Sequence, residues 1–151
     1  MNIAFFLIPK EEVTCLNINS TIRQALEKME YHQHDTVPLI DSEGKYIGTL
    51  TEGDLLWKLK NTPNLSFAAI EHSKIRHLKR RITNKPVQIN AEMEDLLHLA
   101  VTQNFIPVVD DHNTFIGIIR RRDIIEKYVM PQRKSSMLSM PSPFLLVGDY
   151  Y

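Results

Sequence analysis

The chain has 151 residues, room for one domain of ordinary size or two small halves sharing a core. At 43% hydrophobic and 24% charged it is composed as a globular protein and not as a disordered one. Eighteen basic side chains offset eighteen acidic ones, which argues against a nucleic-acid coat, since that needs a basic excess or stripe.

The opening stretch from Met1 to Pro9 is apolar but lacks a positive flank and ends too soon for a signal peptide or a spanning helix. It is expected to be a strand or a packing arm, and no other stretch is long enough to cross a membrane. The single cysteine, Cys15, falls in a predicted strand and reads as a small buried hydrophobe. It can form neither an internal disulfide nor a thiolate-rich metal site, so a reducing, cytoplasmic setting is expected.

A short extended piece over residues 14–18 comes next, then a helix opened by Thr21 with Gln24 three residues on, a capping-box pattern. Ile22, Ala25, Leu26 and Met29 supply its apolar stripe. A strand follows at Val37-Pro38-Leu39-Ile40, its start set at the proline, then the turn Asp41-Ser42-Glu43-Gly44. A second strand, Tyr46-Ile47-Gly48-Thr49-Leu50, leads to a helix that begins near Asp54. The same order recurs. Residues 87–89 are extended, Asn90 is the expected cap, and Met93, Leu96, Leu97, Ala100 and Val101 form the stripe. Ile106-Pro107-Val108-Val109, a turn at Asp110–Asn113, Phe115–Ile119 and a helix near Asp123 complete the second copy. Pro38 to Pro107, Gly48 to Gly117 and Asp54 to Asp123 share an offset of 69 positions; Ile18 to Ile89 is 71, so the first copy has two extra residues near His32 to Asp35. A constant offset across strand, turn, strand and helix start marks an internal duplication. The predicted fold is α/β (α+β), two β-α-β-β-α repeats, each too small to bury a sufficient core alone and therefore packed together.

The predicted boundaries are 1–60 for the first repeat with its arm, 61–84 for a linker whose Ser66 to Arg81 stretch is helix-compatible, 85–130 for the second repeat, and 131–151 for a flexible tail rich in Pro and Ser. Phe144-Leu145-Leu146-Val147 in that tail could dock elsewhere.

The doubled pattern, ending in Gly48-Thr49-Leu50-Thr51-Glu52-Gly53-Asp54 and Gly117-Ile118-Ile119-Arg120-Arg121-Arg122-Asp123, resembles a tandem pair of cystathionine-β-synthase (CBS) domains, a Bateman module, over residues 12 to 129. That resemblance implies a pseudo-two-fold module holding an adenosine-containing ligand (AMP, ADP, ATP, S-adenosylmethionine or cyclic di-AMP) between the repeats. Asp54 and Asp123 match the carboxylate that accepts from the ribose hydroxyls. Thr51 matches a hydroxyl facing phosphate beside a helix N-terminus. Ile18, Asn19 and Thr21, Asn90, Thr36-Val37-Pro38 and Phe105-Ile106-Pro107 match the walls around adenine. Arg120 departs from the usual threonine. If strand alternation persists, Arg120 and Arg122 share a face, and the Arg120-Arg121-Arg122 run can grip phosphates.

Plainer readings stand beside these. Asp54 and Asp123 also suit simple helix capping, Thr51 an ordinary strand position, and the arginine run a solvated helix start. Lys79-Arg80-Arg81 is either a solvated face or a partner or phosphate contact. Trp57 with Leu55, Leu56 and Leu59 fits core or a dimer contact. His32 and His34 lack zinc-like companions, and no catalytic motif or constellation is present. The expectation is a non-enzymatic, homodimeric sensor without catalytic cofactor or metal, signalling to an unknown regulated protein. The rivals are a ligand-free interaction scaffold, a nucleotide hydrolase, and, if the basic runs prove contiguous, a nucleic-acid binder.

Overall fold

In a computed structural model that describes residues 2–63, 66–81 and 83–131, both repeats adopt the β-α-β-β-α order. After a short strand β1 (Ile8–Pro9), the first repeat runs β2 (Leu16–Asn17), α1 (Ile22–His32), β3 (Thr36–Ile40), β4 (Tyr46–Thr51) and α2 (Glu52–Lys60). A four-residue helix α3 (Phe67–Ile70) intervenes. The second repeat runs β5 (Val87–Gln88), α4 (Met93–Ala100), β6 (Phe105–Val109), β7 (Phe115–Arg120) and α5 (Arg121–Ile124), which widens into a π-turn over Ile125–Val129. The predicted tail segment 132–151 lies outside the described residues.

The duplication extends to individual hydrogen bonds. β3 and β4 pair antiparallel with Thr36 opposite Thr51 and Leu39 opposite Gly48; β6 and β7 do so with Phe105 opposite Arg120 and Val108 opposite Gly117. In the turns, Asp41 Oδ1 accepts from the N–H groups of Glu43 and Lys45 at 2.8 and 2.9 Å, and Asp110 Oδ1 accepts from His112 and Thr114 at 2.8 and 2.9 Å. Gly44 (φ 81°) and Asn113 (φ 64°) take the left-handed conformation at matching places, where glycine and asparagine carry the smallest steric penalty. Those two accepted bonds hold the Asp110 carboxyl below its ordinary pKa.

Three local expectations are corrected. Pro38 and Pro107 are the third residues of β3 and β6, not the first. They are tolerated in an inner strand because β2 and β5 reach only Leu39–Ile40 and Val108–Val109, leaving no neighbour that needs the missing proline N–H. The cap of α4 is Glu92, not Asn90; Asp95 accepts from the Glu92 N–H at 3.1 Å, so the box sits two residues later than expected. The stretch from Ser66 to Arg81 is not one helix: α3 ends at Ile70, and after a turn only a 3-10 turn at Ile75–His77 follows. Cys15 is half-buried, and that burial raises its thiol pKa.

The apolar opening is both arm and strand, and it crosses to the other half. A 3-10 turn at Ile3–Phe6 leads into β1, which pairs antiparallel with β7, Ile8 opposite Ile118. The two sheets are therefore β1-β7-β6-β5 and β2-β3-β4. Ile3 and Phe6 lie in one core with Met93, Leu96, Ile119 and Ile124 of the second repeat. Reciprocally, Ile70, Ile75 and Leu78, which precede the second repeat, lie in the core with Ile22, Ala25 and Met29 of the first. The N–H groups of Ile75 and Arg76 bond to Ser20 and Ile18 carbonyls at 2.9 and 3.0 Å. Each such buried side chain contributes roughly 1.5–3 kcal/mol, so each half is completed by chain from outside its own β-α-β-β-α unit.

The halves also share a core. Phe105, Val109, Phe115 and Ile118 pack in the cluster built on Val37, Leu39, Tyr46 and Leu50. The hairpin turns meet where Tyr46 N–H bonds to Asn113 O (3.1 Å) and Phe115 N–H to Gly44 O (2.9 Å), with the Tyr46 and Phe115 rings stacked at 6.2 Å.

Candidate functional site

In the first repeat, β4 turns into α2 at Thr51, and the two predicted residues there cap that helix together. Thr51 Oγ1 accepts from the Asp54 N–H at 3.2 Å and Asp54 Oδ2 from the Thr51 N–H at 3.0 Å. Asp54 is thus the third helical residue and not the cap itself. Its other oxygen accepts from the Arg81 N–H at 3.1 Å, and the side chain is only 2% exposed. Both bonds come from backbone, so a carboxylate with four lone-pair positions keeps capacity for further donors. Thr36, opposite Thr51, stands at the same end of the hairpin, with Val37 and Pro38 next along the strand.

The chain leading into the second repeat forms the facing wall. Asn84, 4% exposed, donates its N–H to Thr49 Oγ1 (2.8 Å) and its side-chain amide to Phe105 O (3.1 Å), tying β4 to β6. The Tyr46 hydroxyl donates to Asn84 O at 2.5 Å, and burial pushes its pKa up to about 12 despite the Thr49 hydroxyl bond and the nearby Arg80 charge. Gln103 clamps the Lys85 backbone, accepting from its N–H at 2.7 Å and donating to its carbonyl at 3.1 Å. Arg80 runs beside Gly48: a Cβ on that glycine would stand 3.6 Å from Arg80 Nε. That buried Nε has no hydrogen-bond partner among the described residues. Arg81 instead lies over the Trp57 ring, 4.8 Å from its centre, making Trp57 a cation–π partner and not a core residue.

The second repeat differs where its sequence departs. Arg120 ends β7, and the helix starts immediately after it, so Arg120 and Arg122 do not continue one strand face. Its guanidinium is held at the helix start, where Nε and Nη2 take both oxygens of Asp123 at 2.7 and 3.0 Å. This is the planar, two-bond pairing for which arginine and carboxylate are matched. Arg121 donates to Ala100 O at 3.2 Å and Arg122 to Glu126 at 3.5 Å. The whole row is therefore engaged within the chain.

The remaining predicted residues are more dispersed. Ile18 and Asn19 adjoin the far end of β3, through Ile18 N–H to Ile40 O (2.8 Å) and Asn19 to Ser42 (3.2 Å). Thr21 is used in its capping box with Gln24 at 2.9 and 3.2 Å. Asn90 is exposed beside the N-terminal arm, near Asn2 and Ala4. Ile106 and Pro107 stand in β6 opposite Ile119 and Ile118. Arg80 lay within a basic run already noted; Thr49, Asn84 and Gln103 carried no sequence signal, because their roles arise from contacts between the halves.

A groove of about 870 Å³ lies elsewhere, between α1, α2 and α3, lined by Leu26, Met29, Leu56, Leu59 and Phe67 with Glu30, Asp35 and Glu52 at its edge. Neither Thr51 nor Asp54 lines it. Asp110, Asp111 and His112 can bring ligand atoms within 4.8 Å of one another. Asp110 already organises its turn and the group is largely exposed, so it reads as a turn and not as a metal centre. No helix among the described residues is long and apolar enough to cross a membrane.

The comparisons bear on the fold. The CBS domain model matches residues 7–61 and again 75–129, and the chain belongs to the CBS domain family as a tandem pair, a Bateman module. CbpB in complex with c-di-AMP shares the fold at 22% identity and a TM-score of 0.79, covering 91% of each chain. CBSX2 in complex with AMP does so at 20% identity and 0.68, over 87% of this chain and 98% of that one. Inosine-5'-monophosphate dehydrogenase of Methanocaldococcus jannaschii is 29% identical over 126 residues, 81% of this chain. The chain spans only 23% of that relative's length.

Proposed function

We propose that this protein is a non-enzymatic regulatory module that binds AMP, ADP, ATP or c-di-AMP between its repeats and passes occupancy to a partner protein, in the cytoplasm and as a homodimer. The observation that carries this reading is Asp54: buried, held in place by backbone N–H groups alone, and set beside the Thr51 hydroxyl. A carboxylate so oriented suits a ribose diol, and the Thr51 hydroxyl keeps its own proton to donate toward phosphate. The complexes of CbpB with c-di-AMP and of CBSX2 with AMP support the ligand class. Exposed Leu56 and Phe67 at the rim of the helix groove support self-association. Ligand would act by favouring one arrangement of the halves over another.

A thermal-shift panel with AMP, ADP, ATP, S-adenosylmethionine and c-di-AMP tests the proposal. A nucleotide at 100 times its Kd should add about 2.7 kcal/mol of stability. The Arg120–Asp123 pairing favours a second reading, a scaffold whose clefts are filled by its own side chains. A flat panel on nucleotide-free protein would select that reading.

A further inference from the structure

We infer that the two clefts are not equivalent: the chain takes one phosphate-bearing ligand, in the cleft of Thr51 and Asp54, with Arg80 as the phosphate contact, while Arg120 closes its counterpart. The inference rests on the adenine-nucleotide reading and adds to it a stoichiometry and a specificity residue.

The two strand–helix junctions are equivalent in backbone and opposite in charge arrangement. At α2 the first turn carries Glu52 and Asp54, which offset the positive end of the helix and would repel a phosphate left to the backbone alone. A cation must therefore come from outside that helix. Arg80 is placed to be that cation: its Nε lies beside Gly48 of β4, and that buried nitrogen has no acceptor among the described residues. An unsatisfied buried donor on a charged group is costly to maintain, and a phosphate oxygen would satisfy it.

At α5 the cation is present but already used. Both Asp123 oxygens accept from Arg120, and Lys127 Nζ stands 3.9 Å from one of them. A ribose arriving there would have to displace a two-bond ion pair before making its own bonds, whereas at Asp54 it meets only backbone donors with lone pairs to spare.

Calorimetric titration of the full chain with AMP, c-di-AMP and adenosine tests this. Wild type should bind one AMP per chain, and Asp54→Asn should weaken it. Arg80→Gln should weaken AMP and c-di-AMP by about tenfold or more while changing adenosine less than about twofold. Arg120→Thr recreates the Thr51 arrangement and frees Asp123, so it should raise the AMP stoichiometry from one to two per chain. Unchanged circular dichroism and melting behaviour would show that each variant is folded. Two AMP per wild-type chain, equal loss of AMP and adenosine in Arg80→Gln, or a single site persisting in Arg120→Thr would overturn the inference and leave nucleotide binding intact. Failure of all three compounds to bind wild type would overturn the nucleotide reading, and this inference with it.

Discussion

The hydroxyl of Tyr46 donates to the backbone carbonyl of Asn84 at 2.5 Å, while the Asn84 N–H returns to the same strand at Thr49 and its side chain reaches Phe105 of the other repeat. One buried asparagine thus connects a strand of each half. Asn84→Ala would leave Phe105 O with one donor fewer, and should cost about 1–3 kcal/mol. Urea unfolding with the midpoint compared against wild type measures it; an unchanged midpoint would remove Asn84 from this role.

Alkaline pH should act through Tyr46. Its folded pKa of about 12 exceeds the ordinary value of 10.0 because burial penalises the phenolate. Below pH 10 both folded and unfolded states keep the proton, and this contribution is complete. Between about pH 10 and 12 the unfolded chain loses its proton first, so stability falls, by on the order of 2–3 kcal/mol in total. Tyr46→Phe should start less stable and lose less over that range. The measurement is the difference between the two proteins' unfolding free energies at successive pH values, which cancels the lysines they share.

Gly117 and Gly48 should respond differently to the same substitution. A Cβ on Gly117 would fall on the carbonyl oxygen of Ile8 in β1, which is backbone and cannot swing aside. On Gly48 it meets Thr83 Oγ1 at 3.3 Å and Arg80 Nε at 3.6 Å, side-chain atoms that can move. Gly117→Ala should therefore displace the arm, at a cost of about 2–4 kcal/mol as Ile3 and Phe6 lose cover. Gly48→Ala should cost about 1 kcal/mol and disturb Arg80. Amide exchange across residues 3–9 reads the first effect directly, and equal protection in both variants would contradict it.

Self-association should depend on the helix groove. Leu56→Glu and Phe67→Glu place charges beside Glu30, Asp35 and Glu52, so each should shift the protein toward monomer in sedimentation velocity. A mass unaffected by either change would put the association surface elsewhere.

The hairpins and helices were legible because their determinants are local and doubled: the offset linking Gly48 to Gly117 predicted two hairpins, and both formed in one register. Other features were not legible, for distinct physical reasons. Asn90 and Glu92 can both begin a helix, and the choice followed Asp95, three residues after Glu92. The 69-residue offset placed Arg120 where Thr51 stands, but what its side chain grasps depends on a rotamer and on Asp123 one helical turn away. Ser66 to Arg81 has helical composition, yet the N–H groups of Ile75 and Arg76 bond to the Ser20 and Ile18 carbonyls and not to Glu71 and His72, while Ile75 and Leu78 enter the core beside α1. Tertiary burial overrode local propensity there.

The pairing of β1 with β7 has a consequence for assembly. β1 is made long before its partner β7, so the arm lacks that pairing until nearly the whole module has been synthesised. Contacts of that span slow folding because the intervening chain must be ordered before they form. The first repeat is also incomplete until Ile75 and Leu78 emerge. The two copies share one pattern, but each is completed by chain from outside its own repeat, so neither can close its core before that chain arrives.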